Sequence, residues 1–140
     1  MKKILTLGFV ALAFSAAALA QNTPAKTVDP VKWNKTSHDF GTVKMGPPAE
    51  VVFKFTNMGK TPLVVTAAQP SCGCTTPTWT KTPVMPGKTG EVKASYGTEG
   101  RPGYFQKTIN VTFDNGTSQT LTITGTVNTD AGGAGGNELK

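Results

Sequence analysis

Two sulfurs two residues apart, Cys72 and Cys74, are the only cysteines of this 140-residue chain. They lie in the string Ser71-Cys72-Gly73-Cys74-Thr75. Such a pair has three chemistries open to it: a structural pair, disulfide-bonded or buried; a redox dithiol; or thiolate ligands for a soft metal. On an extended strand the two Cα atoms would lie about 6.6 Å apart, near the outer reach of a disulfide, and Gly73 lets the backbone fold tighter. Closing so small a ring stabilises little, roughly 1.6 kcal/mol by the loop-closure expression before strain is subtracted. That weakness leaves room for function, because strained, exposed disulfides exchange readily. Thiol oxidoreductases, however, usually present C-x-x-C at a helix N-terminus, whereas Pro70, Thr75, Thr76 and Pro77 around this pair describe a loop.

The other reactive groups are sparse. Zinc needs four ligands, and two Cys, one His and scattered carboxylates without ligand spacing do not supply them. Monovalent copper suits thiolates and the thioethers of Met45, Met58 or Met85, although no spacing brings those methionines to the sulfurs. His38, the sole histidine, neighbours Asp39. Adjacent strand residues point to opposite faces, so the two are not expected to form a catalytic dyad. In Asp39-Phe40-Gly41, Phe40 reads as a core plug and Gly41 as a relaxed backbone position. No catalytic residue, resident cofactor or metal is expected.

The elements that hold these residues begin after a leader. Lys2 and Lys3, the apolar run 4–14 and Ala18-Leu19-Ala20 before Gln21 have the pattern of a cleavable export signal. The apolar run is shorter than the roughly 18 residues a spanning helix needs, so no membrane span is expected in the mature chain. Cleavage would place the protein in the periplasm or outside the cell, where disulfides persist. It would leave 12 Lys and Arg against 8 Asp and Glu, a formal charge of +4. The lysines fall singly along the sequence, without the interleaved aromatics of a nucleic-acid groove, so no nucleic-acid partner is expected.

Residues 21–30 are polar with two prolines, and 128–140 are glycine-rich; both read as flexible ends around one domain at 31–127. Within it the chain alternates with period two. Val92, Ala94 and Tyr96 share one face; so do Leu121, Ile123 and Val127, and Phe105, Ile109, Val111 and Phe113, with Lys107 as the inward-facing violator. Lys107 is expected near an edge, or snorkelling. Asp114-Asn115-Gly116 between two such runs predicts a hairpin in which both Asn115 and Gly116 tolerate positive φ. A second hairpin is expected where Val51, Phe53 and Phe55 are followed by Asn57-Met58-Gly59-Lys60 and then Leu63, Val65 and Ala67. Residues 31–40 and a short segment at Val84 supply weaker strands. Phe53, Phe55, Phe105 and Phe113 are expected in the core. About seven short strands and no helical spacing predict an immunoglobulin-like antiparallel β-sandwich.

Four segments, His38-Asp39-Phe40-Gly41-Thr42-Val43, Phe53-Lys54-Phe55-Thr56-Asn57 with Gly59-Lys60 and Pro62-Leu63, Ser71-Cys72-Gly73-Cys74-Thr75, and Pro86-Gly87-Lys88 with Gly90-Glu91-Val92, resemble the bacterial domain-of-unknown-function family 1573. The sequence departs from that pattern at Met45-Gly46-Pro47-Pro48 and at Met58, both in expected loops. The resemblance implies an exported immunoglobulin-like module, distantly similar to major sperm protein and cilia-associated modules, with no established activity. Its motif residues here are His38, Asp39, Phe40, Gly41, Ser71, Gly73 and Thr75. The expectation is therefore a non-catalytic module that binds an envelope protein or polymer, or supports the envelope structurally, through an exposed sheet edge or the Cys72 loop. The alternative is a thiol-redox or copper-binding protein built on Cys72-Gly73-Cys74.

Overall fold

The computed structural model describes residues 30–129. The expected leader and most of the polar and glycine-rich ends lie outside the described residues. Eight strands follow in order: β1 (Val31–Trp33), β2 (Ser37–Lys44), β3 (Ala49–Asn57), β4 (Val65–Pro70), β5 (Thr75–Trp79), β6 (Thr89–Tyr96), β7 (Gly103–Phe113) and β8 (Ser118–Asn128). They form two four-stranded sheets, β1-β3-β6-β5 and β2-β8-β7-β4. The fold is all-β and immunoglobulin-like, as the alternation predicts.

Side-chain alternation builds the core. Val51, Phe53 and Phe55 from β3 and Val92, Ala94 and Tyr96 from β6 are buried against Phe105, Ile109, Val111 and Phe113 from β7 and Leu121, Ile123 and Val127 from β8. Three aromatic contacts join the sheets: Phe55 meets Phe113 edge-on at 5.1 Å, Trp33 meets the same ring at 6.2 Å, and Tyr96 stacks on Phe105 at 3.9 Å. The outward residues of β3 and β6 pair by charge across the ladder, Lys54 with Glu91 at 3.1 Å and Glu50 with Lys93 at 2.8 Å. Both pairs are half-exposed and contribute little individually.

The strand directions sort the loops into two ends. Residues 45–48, 71–74 and 97–102 gather at one, the cysteine end; 57–64, 80–88 and 114–117 gather at the other, the entry end, where Pro30 leads into β1. One buried polar residue ties the loops of each end. Thr98 Oγ1 donates to the Pro47 carbonyl at 2.8 Å and accepts from the Gly46 amide at 2.9 Å. At the entry end, the Asn57 amide group donates to the Thr61 and Val84 carbonyls, both at 2.8 Å, while its Oδ1 accepts from the Gly59 amide at 2.9 Å.

Four expectations need correction. The segment at 31–40 divides: β1 joins one sheet and β2 the other, which brings the strand count to eight. β2 pairs with β8 in parallel, so that sheet is mixed. β3 and β4 are not a hairpin, because the turn held by Asn57 carries the chain across the sandwich: β3 pairs with β1 and β6, β4 with β7. The β7–β8 hairpin is present, but only Gly116 has positive φ (82°). The Gly116 amide donates to the Phe113 carbonyl and the Phe113 amide to the Thr117 carbonyl, giving a tight turn closed by a glycine bulge instead of a two-residue turn.

Candidate functional site

Cys72 and Cys74 occupy the crossover from β4, the outer strand of one sheet, to β5, the outer strand of the other. The loop is held by backbone on both flanks. The Ser71 amide donates to the Thr108 carbonyl at 2.8 Å and Ser71 Oγ accepts from the Thr108 amide at 3.1 Å, so the serine carries the ladder one step past Pro70. The Gly97 amide donates to the Cys74 carbonyl at 2.9 Å, and the Thr75 amide donates to the Cys72 carbonyl at 3.3 Å. Thr75 is buried, with its Oγ1 3.9 Å from Cys72 Sγ. The cysteine side chains are half-buried and form a close pair with Cα atoms 5.2 Å apart, inside the span of a disulfide. Gly73 does not adopt positive φ.

The remaining expected site residues lie elsewhere. Of the three candidate methionines, only Met45 is at the cysteine end; Met58 and Met85 belong to loops of the entry end. Among the described residues no group of three or more His, Cys, Asp or Glu is placed to hold a metal ion. Lys35 Nζ lies 3.2 Å from His38 Nδ1, while the Asp39 carboxylate accepts from the Gly41 amide at 2.9 Å. Burial, then the positive charge of Lys35, hold the His38 pKa below its ordinary value, with Asp39 acting in the opposite direction. Phe40 is half-buried beside Phe105, and Gly41, at φ 64°, sits at the irregularity in the β2–β8 pairing. Lys107 lies just beyond the last β4 contacts of β7, where that strand has lost its outer neighbour.

These placements make the two sides of the sandwich unlike. On the β4/β5 side both outer strands are blocked. The Thr80 amide donates to Glu91 and the Cys74 carbonyl accepts from Gly97, so the even-numbered residues of β5 face β6 and the missing N–H of Pro77 faces outward. The same alternation, set by Ser71, turns the missing N–H of Pro70 outward from β4. Trp79 Nε1 donates to the Val65 carbonyl at 3.2 Å, tying one edge strand to the other, and Lys81 stacks on its ring at 3.2 Å. With the cysteine crossover, β4 and β5 are closed to a further strand, while residues 103–107 of β7 run on beyond the end of β4.

The β1/β2 side is open. β1 pairs only with the last three residues of β3. Asn34 closes that pairing: its amide donates to the Lys54 carbonyl at 2.9 Å and its Oδ1 accepts from the Lys54 amide at 2.8 Å. Beyond it, residues 49–53 of β3 have no strand on that side, and the alternation turns the backbone groups of Glu50 and Val52 outward. Lys35 covers part of the gap, with its ammonium 5.8 Å from the centre of the Phe53 ring. β2 is the outer strand of the facing sheet. The sequence showed edge strands in principle; only the strand order reveals which edges are open.

One variant weighs the cysteine crossover against the rest of this site. Because Ser71 and Gly97 hold the loop by backbone bonds, Cys72→Ser with Cys74→Ser should stay folded and lose no more than about 2 kcal/mol in urea titration. Loss of the folded state would show that the sulfurs are a packing element.

The family model described as "Protein of unknown function (DUF1573)" matches residues 31–127. A search of curated proteins found no match. Among solved structures, a protein of unknown function from Porphyromonas gingivalis W83 is 14% identical with a TM-score of 0.59, over 75% of this chain and 51% of that one, so the chain spans about half its length. The ASH/PapD-like domain 7 of human CEP192 is 13% identical with a TM-score of 0.61, over 84% and 98% of the two chains. A family 123 glycoside hydrolase from Clostridium perfringens is 11% identical with a TM-score of 0.58, over 69% of this chain and 23% of the enzyme. These likenesses are of fold alone.

Proposed function

Because the chain belongs to DUF1573, a family of proteins of unknown function, we propose that it is a non-catalytic binding module, exported to the cell envelope, that takes up an extended protein segment along the open side of its sandwich. The single observation that carries this reading is the contrast between the outer strands: prolines, an indole bond and a crossover block β4 and β5, while β1 leaves residues 49–53 of β3 without a neighbouring strand. An added strand would pair with the outward backbone groups of Glu50 and Val52 and set a side chain against the gap that Lys35 covers. The leader pattern supports export. In that compartment Cys72 and Cys74 act as a disulfide that fixes the β4–β5 crossover.

The Val52 amide faces the open side, so Val52→Pro removes no bond of the β3–β6 ladder but takes away a donor needed by an incoming strand. In pull-downs from envelope extract, the wild-type chain should retain a protein that Val52→Pro loses by tenfold or more. Hydrogen exchange on the recovered complex should be slowed at Glu50 and Val52. Equal retention by both chains, with unchanged exchange at those amides, would dismiss edge pairing.

A further inference from the structure

The lysines that fall singly in the sequence do not stay apart in the fold. Lys32 on β1, Lys60 in the β3–β4 loop, and Lys81 and Lys88 in the β5–β6 loop all come to the entry end, and all are exposed. Among the described residues, the one carboxylate in the loops of that end, Asp114, is engaged with the Val64 amide at 3.1 Å. Asn57 holds two of these loops together. Its side chain holds the Thr61 and Val84 carbonyls, its amide donates to the Lys88 carbonyl, and its own carbonyl accepts from Gly87, so the loops bearing Lys60 and Lys88 are tied to one residue. The same two loops carry Met58 and Met85, 52% and 53% exposed; with Tyr104 they are, among the described residues, the large apolar side chains most open to solvent. Met58 also lines a shallow groove with Lys32, Thr56 and Thr89.

We propose that the entry end is a docking surface for an anionic lipid bilayer, with Lys32, Lys60, Lys81 and Lys88 facing the headgroups and Met58 and Met85 seated among them. Two features favour a bilayer over an acidic protein. Flexible, exposed thioether side chains match an interface of apolar and polar layers, and each shares its loop with an exposed lysine. Before cleavage, the segment bearing the apolar run 4–14 precedes Pro30, which enters the domain at this same end. This goes beyond edge binding, which uses the β1/β2 side.

The test uses the chain from Gln21 onward, which contains every strand, with its dichroism checked to be that of a β protein. It should sediment with vesicles of phosphatidylcholine containing about 30 mol % phosphatidylglycerol, and not with phosphatidylcholine alone. Raising the salt to about 0.5 M should release it. Lys60→Glu with Lys88→Glu should lower partitioning at least about twentyfold, since a lysine near an anionic surface is worth about 1 kcal/mol. Met58→Ser with Met85→Ser should lower it several-fold at unchanged charge. Lys44→Glu with Lys107→Glu, which makes the same change in net charge away from this end, should change it less than about threefold. Equal loss in that pair would reduce the effect to net charge and overturn the assignment. So would equal binding to neutral vesicles, no binding to anionic ones at low salt, or polyglutamate held as tightly as the vesicles. The Val52→Pro variant should bind vesicles like the wild type, which separates failure of this proposal from failure of edge pairing.

Discussion

Asn57→Ala is expected to lower stability by about 3–5 kcal/mol, a large fraction of what a domain of this size possesses. Truncation removes two donated hydrogen bonds and one accepted one from a site that is 1% exposed. The Thr61 carbonyl and the Gly59 amide can recover water at the surface, but Val84 is buried and its freed carbonyl lone pair costs the most. The thermal midpoint should fall by more than about 10 °C. Asn57→Asp keeps the acceptor for Gly59 while turning an oxygen toward two carbonyl oxygens, so it should be no milder than alanine. A loss below about 1 kcal/mol for Asn57→Ala would show that these loops close without the side chain. The same substitution should weaken vesicle binding beyond its effect on folding, because it releases the loops that bring Lys60 and Lys88 together.

Gly90→Ala should cost about 3 kcal/mol, although alanine is ordinarily the better strand residue. Gly90 is buried on β6 opposite Phe55, and a Cβ built there would overlap the Phe55 ring and come 2.9 Å from the Val84 side chain. Both neighbours belong to the core, so neither can swing into solvent. A double-mutant cycle with Phe55→Leu tests this cause. Leucine frees the space the ring occupies, so the alanine penalty should shrink by at least about 1 kcal/mol in that background. Additive losses would place the cost elsewhere than in this overlap.

What was legible in the sequence was what neighbours along the chain decide. Alternation in β3, β6, β7 and β8 marks their buried faces because one face of each packs on the opposite sheet, and Asn115-Gly116 marks the hairpin because a tight turn is a local problem. Sheet membership was not legible. Asn57-Met58-Gly59-Lys60 resembles a hairpin turn because an Asn followed by Gly serves equally for a chain that reverses within a sheet and for one that crosses to the other. The parallel β2–β8 pairing joins residues more than eighty positions apart, and no periodicity encodes a partner. The candidate surfaces fare likewise. Pro70 and Pro77 read as loop signals beside the cysteines, and only the hydrogen-bond alternation shows that they block edges. Spacing along the chain separates the lysines, whereas the fold gathers four of them from β1 and two loops.

The parallel pairing of the second strand with the last also determines how this domain responds to tension. Pulling on the two ends of the chain draws β2 toward the entry end and β8 toward the cysteine end, in opposite directions along their shared ladder. The load is shear, borne together by the registered pairs from Ser37 with Thr122 to Lys44 with Asn128, instead of a peeling force that opens one pair at a time. Tension applied between Pro30 and Asn128 therefore meets the β2–β8 ladder along its length.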